Sequence, residues 1–456
     1  MNTSFFNVVT FPTLSEKKLI YFLSYKEKDG MKKLSCEILK AIVKYRPMSR
    51  EICLTCKGSR MLCGRPSCPL LAKISIQSLV KPKLKESLFG PSPSIFVGHS
   101  NYPKVFVGPL TSIEDENSQI LDNPAKWYGL DFEEIIKLRS ILIRGKTRHN
   151  VREKSKFVEK AQEVALSFKP IDTEVHFQKK PNYTISFSPI SQPLGPTAEL
   201  KNFEIAENPR IPKKVDTIVE EELKATKAIA ELYSYGFDVY YITRVFSSGV
   251  LGEEQRRKLV PTRWSITAID DIVGKFLISQ IKNYKEIADY HVYSNTYLHN
   301  HFEVLLMPGK WRFELFEAWA PNTLWTLAYT RPAINVEREG YRGRTTYAIS
   351  EGGGYYATRL AVAEGLSKMR KQASVVVFRE IYEGYIMPVG VWEVRENVRR
   401  ALKKKPEVFS TLNEALESIR SRLKLPLEEY LKRSQILTQT KLDNFFAPER
   451  GKKLRG

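Results

Sequence analysis

The sequence predicts a mixed protein of the α/β or α+β class, in which two domains follow a small cysteine-rich module and precede a flexible tail. Helix-like and strand-like patterns alternate along the chain without an internal repeat. Its 456 residues, 42% of them hydrophobic, suffice for two or three domains with their own cores. We divide the chain into an N-terminal extension with a helix (1–49), a cysteine module (50–80), a main domain (81–325), a second domain (326–434) and a tail (435–456).

Hydrophobic periodicity and Gly/Pro punctuation predict the elements within these domains. A fully buried strand appears as a short β-branched run, and a helix as an apolar stripe that ends at glycine. The predicted helices are 31–45 (with Cys36 on its buried side), 132–168, 216–235, one beginning at Asp270-Asp271, 355–372 and 409–433. The predicted strands are 95–98, 104–109, 237–245, a hairpin over 299–319, 344–350 and 374–381, with an irregular connection over 181–212 and a hairpin-like segment around Gly384, Gly390 and Trp392.

The charge balance favours a polyanionic partner. The chain carries 72 Lys and Arg against 51 Asp and Glu, for a formal charge of +21 and a pI near 9.5. DNA would add counterion release to this attraction, although a Lys- and Glu-rich protein can also be basic without binding DNA. No apolar run is long enough to span a bilayer, and residues 1–19 lack the core of a signal peptide. We expect a cytoplasmic, nucleoid-associated protein without membrane contact.

Four of the five cysteines lie within sixteen residues, in the spacing Cys53-x2-Cys56-x6-Cys63-x4-Cys68. In a cytoplasmic chain such spacing favours a metal over disulfides. Four thiolates can hold zinc tetrahedrally and so fold a loop that has few apolar residues of its own. We expect a structural zinc knuckle, with a redox or iron–sulfur site as the alternative.

The tail contains a short apolar motif. Leu442, Phe445 and Phe446 are spaced i, i+3 and i+4, so one helical turn places them on one face, and Gln439 precedes them. The motif resembles the clamp-binding peptide (PIP box) of proteins that dock on the sliding clamp PCNA. That resemblance implies PCNA as a partner; the alternative is a last turn packed on the chain's own core.

Several further segments resemble the archaeal Nre proteins. The likeness runs from the cysteines to the tail, and it is carried by Phe96-Val97-Gly98, by 103–109 (PKVFVGP), by 261–267 (PTRWSIT) and by 352–360 (GGGYYATRL). It implies an archaeal DNA repair factor that works with PCNA, with 81–325 as an Nre N-terminal-type domain and 326–434 as a C-terminal-type domain. It carries no catalytic assignment with it, and other repair proteins remain candidate partners.

Arginine beside aromatic or glycine residues marks the candidate DNA contacts. A guanidinium can pair with phosphate while an aromatic ring stacks on an exposed base. The alternatives are a packed tryptophan covered by an arginine, and glycines that merely let a helix and a strand approach. The candidates are Arg244, Arg263, Trp264, Gly353, Tyr355 and Tyr356.

Two constellations are candidates for catalysis. Alternation along a strand would place His299, His301 and Glu303 on one face, where they could bind a divalent metal with Glu314 or Glu317 from the returning strand. The alternative is a polar sheet face. Glu351 and Arg359 flank a glycine-rich loop at a helix start, which is a natural anion site. The loop lacks the Walker and dinucleotide-binding patterns.

We expect a DNA repair factor that PCNA recruits and that binds damaged DNA through its basic surface. The alternative is a clamp-tethered enzyme acting on DNA, such as a nuclease, a glycosylase or a base-modifying transferase. A third hypothesis is an adaptor that joins the clamp to another repair protein.

Overall fold

The computed structural model describes residues 68–114, 120–183, 194–321 and 332–438, together with Cys56, Arg60, Thr323 and Thr326. These residues form a mixed α/β structure, as the sequence predicts, and its strands form two six-stranded sheets. Within them, no helix combines the length and the apolar character that crossing a membrane requires. The predicted helix over 31–45 falls outside the described residues.

The first sheet curls on itself. Its strands are β1 (Ser87–Ser92), β2 (Ser94–Val97), β3 (Lys104–Ser112), β4 (Leu142–Asn150), β5 (Ile171–Phe177) and β6 (Thr197–Ile205), in the order β1-β5-β6-β4-β3-β2. Only Pro93 separates β1 from β2, yet these two strands lie at opposite ends of that order. The sheet must therefore bend until its edges meet. Buried hydroxyls bridge the closure, since Ser92 Oγ lies 2.8 Å from Thr111 Oγ1 and 2.7 Å from Thr173 Oγ1.

Short helices cover this sheet. They are α1 (Pro69–Val80), α2 (Phe132–Ser140) and α3 (Lys156–Leu166), with single 3₁₀ turns at Lys81–Lys83 and Pro124–Lys126. Asp131 and Glu134 form a capping box at the start of α2, and the Ser155 hydroxyl accepts from the Val158 amide at the start of α3. The apolar face of α3 packs against the inward side chains of the sheet to form one core.

The second sheet carries the larger core. Its strands are β7 (Tyr290–Tyr297), β8 (Asn300–Met307), β9 (Arg312–Trp319), β10 (Ala333–Glu339), β11 (Ser374–Ile381) and β12 (Glu407–Phe409), in the order β10-β9-β11-β8-β7-β12. Strand β11 runs parallel to β9 and antiparallel to β8. The sheet is buried on both faces along β8, β9 and β11, which explains their nearly continuous apolar sequences.

Helices pack on both faces of the second sheet. One face is covered by α4 (Lys213–Glu220), α5 (Ala225–Ser234), α6 (Val239–Ser247), α7 (Thr262–Ile281), α8 (Gly353–Met369) and α9 (Val391–Ala401), with a 3₁₀ turn at Glu254–Arg256. The other face is covered by α10 (Leu412–Arg420) and α11 (Leu427–Leu431). We call these the α8 face and the α10 face.

Several predicted elements are wrong in type or extent. The predicted strand 237–245 is helix α6, because Asp238 caps its first turn and Val239, Ile242 and Val245 are buried at helical spacing. Strand β4 interrupts the predicted helix 132–168, and β6 lies inside the supposed irregular connection 181–212. The segment 344–350 forms turns, and the hairpin-like segment leads instead into α9.

Other predictions are confirmed. Strand β11 has the predicted bounds, and α8 follows the glycine loop as expected. The predicted helices 216–235 and 409–433 are each divided into two, as α4 and α5 and as α10 and α11.

The predicted helix start at Asp270 and Asp271 is wrong. Both residues lie in the middle of α7, so they do not cap it.

Buried ion pairs join the helices of the α8 face. The Arg395 guanidinium of α9 donates to both carboxylate oxygens of Asp270 in α7, at 2.6 and 2.7 Å. Both side chains are almost completely buried. A buried charge that loses its partner is strongly unfavourable, so this pair fixes α9 against α7.

We therefore expect Asp270→Ala to lower the free energy of unfolding by about 3–5 kcal/mol, because it leaves the Arg395 charge buried and unpaired. Urea denaturation would measure the change. The double variant Asp270→Leu/Arg395→Met removes both charges and should recover much of the loss. A double variant as unstable as the single one would contradict this account.

Candidate functional site at the start of helix α8

The first turn of α8 lies against the carboxyl ends of two parallel strands. Gly352 precedes the helix with φ +53° and ψ −128°, a backbone conformation that side chains with a Cβ rarely adopt. A Cβ on Gly354 would lie 3.3 Å from Glu317 Oε2 and 3.5 Å from Arg379 Nη1. The glycines thus bring the helix N-terminus, with its positive dipole end, directly over these two side chains.

Glu317 and Arg379 form a buried pair at this edge. Glu317 lies near the end of β9 and Arg379 near the end of β11. Arg379 Nη1 donates to Glu317 Oε2 at 2.5 Å, and the Trp319 indole donates to Glu317 Oε1 at 2.8 Å. Asn300 Oδ1 accepts from the other two nitrogens of Arg379. The crevice outside the carboxyl ends of parallel strands is where α/β proteins commonly bind ligands.

Glu351 is a buried carboxyl beside this pair. The residue is 8% exposed, and neither carboxylate oxygen has a hydrogen-bond partner. Burial raises the pKa of Glu351 well above its ordinary value, and the negative charges of Glu317 and Glu337 raise it further. The opposing effects of Arg379 and Arg344 are smaller. Glu351 therefore holds its proton at a pH where an exposed glutamate has lost it.

Glu393 is a second proton-holding carboxyl, on the other side of Arg379. It is completely buried at the start of α9, and its Oε2 atom lacks a hydrogen-bond partner. Burial raises the pKa of Glu393 to about 7, despite the charge of Arg379 and a hydrogen bond from Asn397. The site therefore combines one ion-paired carboxylate with two carboxyls whose pKa values are raised by burial.

An exposed strip of aromatic and basic residues leads from the first sheet to this site. The Tyr102 and Trp264 rings lie 5.3 Å apart, and Lys258 Nζ lies 6.0 Å from the Tyr102 ring centre. Arg263 is exposed next to Trp264 in the first turn of α7. Burial raises the pKa of the Tyr347 hydroxyl. The nearby charge of Arg263 and a hydrogen bond between Tyr347 and Thr267 oppose this rise, which shows that both residues lie close to Tyr347. We define the strip as Tyr102, Lys258, Arg263, Trp264 and Tyr347.

The strip reaches the glycine loop through Tyr347. Its hydroxyl lies 3.5 Å from the position that a Cβ on Gly352 would occupy, and its ring lies 5.4 Å from the Tyr356 ring. Tyr347 thus lies between Arg263 and the glycine loop, which the sequence offers as two separate candidates. Tyr355 and Tyr356 instead point into the core of the α8 face.

Arg359 is not free to bind an anion. Its guanidinium is buried and donates to Glu339 Oε2 at 2.8 Å and to Asp271 Oδ1 at 2.5 Å. Arg359 therefore ties α8 to β10 and α7. Arg244 is likewise occupied, because it donates to the backbone carbonyls of Pro93, Ala165 and Ser167. Both guanidiniums hold elements together rather than forming part of a DNA-facing surface.

His301 and Glu303 share one face of β8, as alternation predicts, and His301 Nε2 lies 2.9 Å from Glu303 Oε1. The other parts of that prediction are wrong, because β8 and β9 do not pair as a hairpin and His299 lies outside the strand. His299 lies in the turn before β8 with φ +59°, and its ring packs against Gly384. Strand β11 lies between β8 and β9. Alternation along each strand places Glu317 on the α8 face, and His301 and Glu303 on the α10 face. Glu303 accepts from the Arg422 guanidinium at 2.8 and 3.0 Å. No metal-binding group of three or more such side chains occurs in the described part of the chain.

The remaining candidates lie mostly outside the described residues. Cys53 and Cys63 are among these, as are Gln439, Leu442, Phe445 and Phe446. Cys56 is buried, and Cys68 immediately precedes α1. The site residues that sequence reasoning missed are Arg379, Glu393 and Tyr347. Their only sequence signal is position: Arg379 lies near the end of β11, Glu393 near the start of α9, and Tyr347 in the connection between β10 and α8.

Comparison with known proteins identifies relatives along most of the chain. The family description "Archaeal Nre, N-terminal" matches residues 62–326, and "Archaeal Nre, C-terminal" matches residues 339–445. The DNA repair protein NreA of Archaeoglobus fulgidus is 41% identical over 398 residues, which are 86% of this chain and 98% of the relative. NreB of the same organism, also called a DNA repair protein, is 39% identical over 84% of this chain and 96% of the relative.

A third relative comes from a different archaeon. The DNA repair protein NreA of Haloferax volcanii is 36% identical over 79% of this chain and 89% of the relative. No solved structure matches the chain.

The buried Glu393 carboxyl should make stability depend on pH. The pKa of Glu393 is about 7 in the native state, above its ordinary value of 4.5. Ionisation of this carboxyl therefore lowers the stability of the native state as pH rises from the lower value to the higher one. We expect Glu393→Gln to be more stable relative to wild type at pH 8 than at pH 5, by about 3 kcal/mol at most. Urea denaturation at both pH values would measure this difference.

Val394→Ala, a buried substitution in the same helix, provides the control. It removes no titrating group, so its effect on stability should be equal at the two pH values. Equal effects of Glu393→Gln at pH 5 and pH 8 would show that the carboxyl titrates alike in the native and unfolded states.

Proposed function

The chain belongs to the archaeal Nre family of DNA repair proteins, and from that premise we propose that it binds damaged DNA along the exposed strip and is brought to DNA by the sliding clamp PCNA. The observation that carries the DNA-binding proposal is the strip itself. Tyr102 is 40% exposed and Tyr347 is 50% exposed, and Lys258 and Arg263 lie exposed beside them. Aromatic rings flanked by cations bind nucleic acid through stacking and phosphate contacts.

The kind of DNA follows from the chemistry of the strip. Aromatic side chains stack only on bases that have left the helical stack. Mismatched, damaged or single-stranded segments offer such bases at the lowest cost in unstacking free energy. A strip of this composition therefore favours distorted over intact duplex DNA.

A second basic surface supports the same proposal. On the outward side of β3 and β4, the Phe106 ring has Lys146 Nζ at 4.9 Å and the Arg148 guanidinium at 4.7 Å from its centre. Phe96 of β2 has the Arg144 guanidinium at 5.8 Å. Cations on one sheet face would contact the DNA backbone and contribute affinity that depends on salt but not on sequence.

The C-terminal motif supports recruitment by PCNA. The described chain is held until just before the motif, because the Ser434 hydroxyl donates to Glu314 and the Gln435 amide donates to Glu314 at 2.9 Å. Gln439, Leu442, Phe445 and Phe446 follow immediately. In this proposal the motif binds the clamp and is attached to the folded domains at Gln435. Its role is to raise the local concentration of these domains at the clamp, and it takes no part in any reaction.

Structural zinc completes the proposal. Cys53, Cys56, Cys63 and Cys68 would be its ligands, and their thiolates would fold the cysteine module by coordination. Cys68 directly precedes α1, and its side chain makes no capping hydrogen bond there. A zinc ion at this thiolate would thus fix the module to the start of a helix that packs against α2.

The strip can be tested by removing one charge. Arg263→Gln should weaken binding to a fluorescein-labelled duplex with a three-nucleotide mismatch bubble, because one phosphate contact is lost. The salt dependence of binding should fall by about one released counterion. Fluorescence anisotropy at several salt concentrations measures both quantities.

Lys368→Gln is the matched control, since it removes an equal charge at the far end of α8, about 25 Å from the glycine loop. It should leave binding nearly unchanged. Equal effects of the two variants would mean that the strip contributes only to overall charge, and the DNA-binding proposal would be lost.

The clamp proposal has its own test. Phe445→Ala/Phe446→Ala should abolish binding to purified PCNA in isothermal titration calorimetry, because both aromatic side chains of the docking turn are removed. Affinity for DNA should stay nearly unchanged. Asn444→Ala, at a free position of the motif, should bind PCNA like wild type. Loss of both PCNA and DNA binding in the double variant would argue against separate docking and DNA surfaces.

A further inference from the structure

We propose that the start of α8 is a catalytic site in which Glu351 is the general acid for hydrolysis of an N-glycosidic bond, releasing an altered base from bound DNA. This inference rests on the proposed function, because the strip must hold the DNA. It assigns a reaction to residues that have no role in binding the strand.

The geometry marks Glu351 as the reactive group. It is more than nine-tenths buried, and both of its oxygens lack partners, although buried carboxylates are normally hydrogen-bonded. The residue directly precedes Gly352, which lies beside the Tyr347 hydroxyl at the end of the strip. A nucleotide turned out of the helix against Tyr347 would therefore lie beside the loop that carries Glu351.

The groups that face Glu351 suit acid catalysis. They are Glu317 of β9, Glu337 of β10, Arg379 of β11 and Arg344 of the preceding loop. Arg344 and Arg379 are each paired with a carboxylate, at 2.9 and 2.5 Å, so the two positive charges are already balanced. Glu351 consequently keeps a proton that it can donate.

The same surroundings favour a glycosidic bond over a phosphodiester. An attacked phosphate carries negative charge and would be repelled by Glu317 and Glu337. Cleavage of an N-glycosidic bond instead gives a sugar cation at C1′, which a nearby ionised carboxylate stabilises. The Glu317 carboxylate accepts hydrogen bonds from Arg379 and the Trp319 indole, and in this proposal it provides that negative charge.

The proposed reaction is a hydrolysis that needs only water. The C1′–N bond breaks and its electron pair leaves with the base, which takes the proton of Glu351. Water then forms the new C1′–O bond and returns its proton to the Glu351 carboxylate. The products are the free base and an abasic sugar, and Glu351 is restored.

The test uses the full-length protein with oligonucleotides that each carry one uracil, hypoxanthine or 3-methyladenine, in bubbled and single-stranded DNA. Mass spectrometry would detect the free base and the abasic strand, and anisotropy would measure binding to the same oligonucleotides. We expect base release from at least one of them, and a loss of at least 100-fold in rate for Glu351→Gln with binding unchanged.

Glu407→Gln, on the α10 side of the second sheet, is the matched control and should retain activity. Wild-type activity should also fall as pH rises through the pKa of Glu351, because the acid form is lost. Equal rates for wild type and Glu351→Gln would overturn the assignment of Glu351. Binding without base release would overturn the activity but leave the DNA-binding proposal, whereas absence of binding would overturn both.

Discussion

The need to pair the charges buried between the second sheet and its α8 face determines how this part of the molecule is assembled. Asp270 of α7 pairs with Arg395 of α9, and Arg359 of α8 pairs with Glu339 of β10 and with Asp271 of α7. Each pair joins different elements, so a rotation of any helix would leave a charge buried without a partner. These pairs fix α8 along the sheet, and this position places its first turn over Glu317 and Arg379.

Two carboxyls near these ion pairs, Glu351 and Glu393, are not fully hydrogen-bonded. Among the described carboxylates, Glu351 and Glu393 are those with a fully buried oxygen that has no hydrogen-bond partner. Glu317 lies close by and has both oxygens bonded. A purely structural site would replace such carboxyls by apolar or amide side chains, since burying them costs stability. Carboxyls kept at this cost beside a helix N-terminus are typical of functional sites, where a raised pKa serves a reaction.

The parts of this arrangement that local sequence encodes were predictable. The β-branched run of β11 and the glycine loop that opens α8 each carry their own signal. Strand β11, however, inserts between β8 and β9, and this long-range pairing separates Glu317 from His301 and Glu303. The sequence contains no local trace of that insertion. For the same reason the meeting of Glu317, Glu351 and Arg379 is invisible before folding, because three different elements supply them. Helix α6 was misjudged for another reason: its β-branched and aromatic residues favour a strand, and tertiary burial overrides that propensity.

The second sheet also separates the start of the C-terminal segment from the strip that we propose binds DNA. The last described residues pack on the α10 face, where Glu314 holds Ser434 and Gln435. Tyr347 and the glycine loop lie on the α8 face, against Tyr356. In the proposed function, a peptide that left the α10 face to reach the clamp would therefore not compete with a strand lying along the strip. The central strands of the sheet, buried on both faces, lie between the two surfaces. The body would then stay bound to a lesion while the tail held the clamp, so each contact would raise the effective concentration of the other.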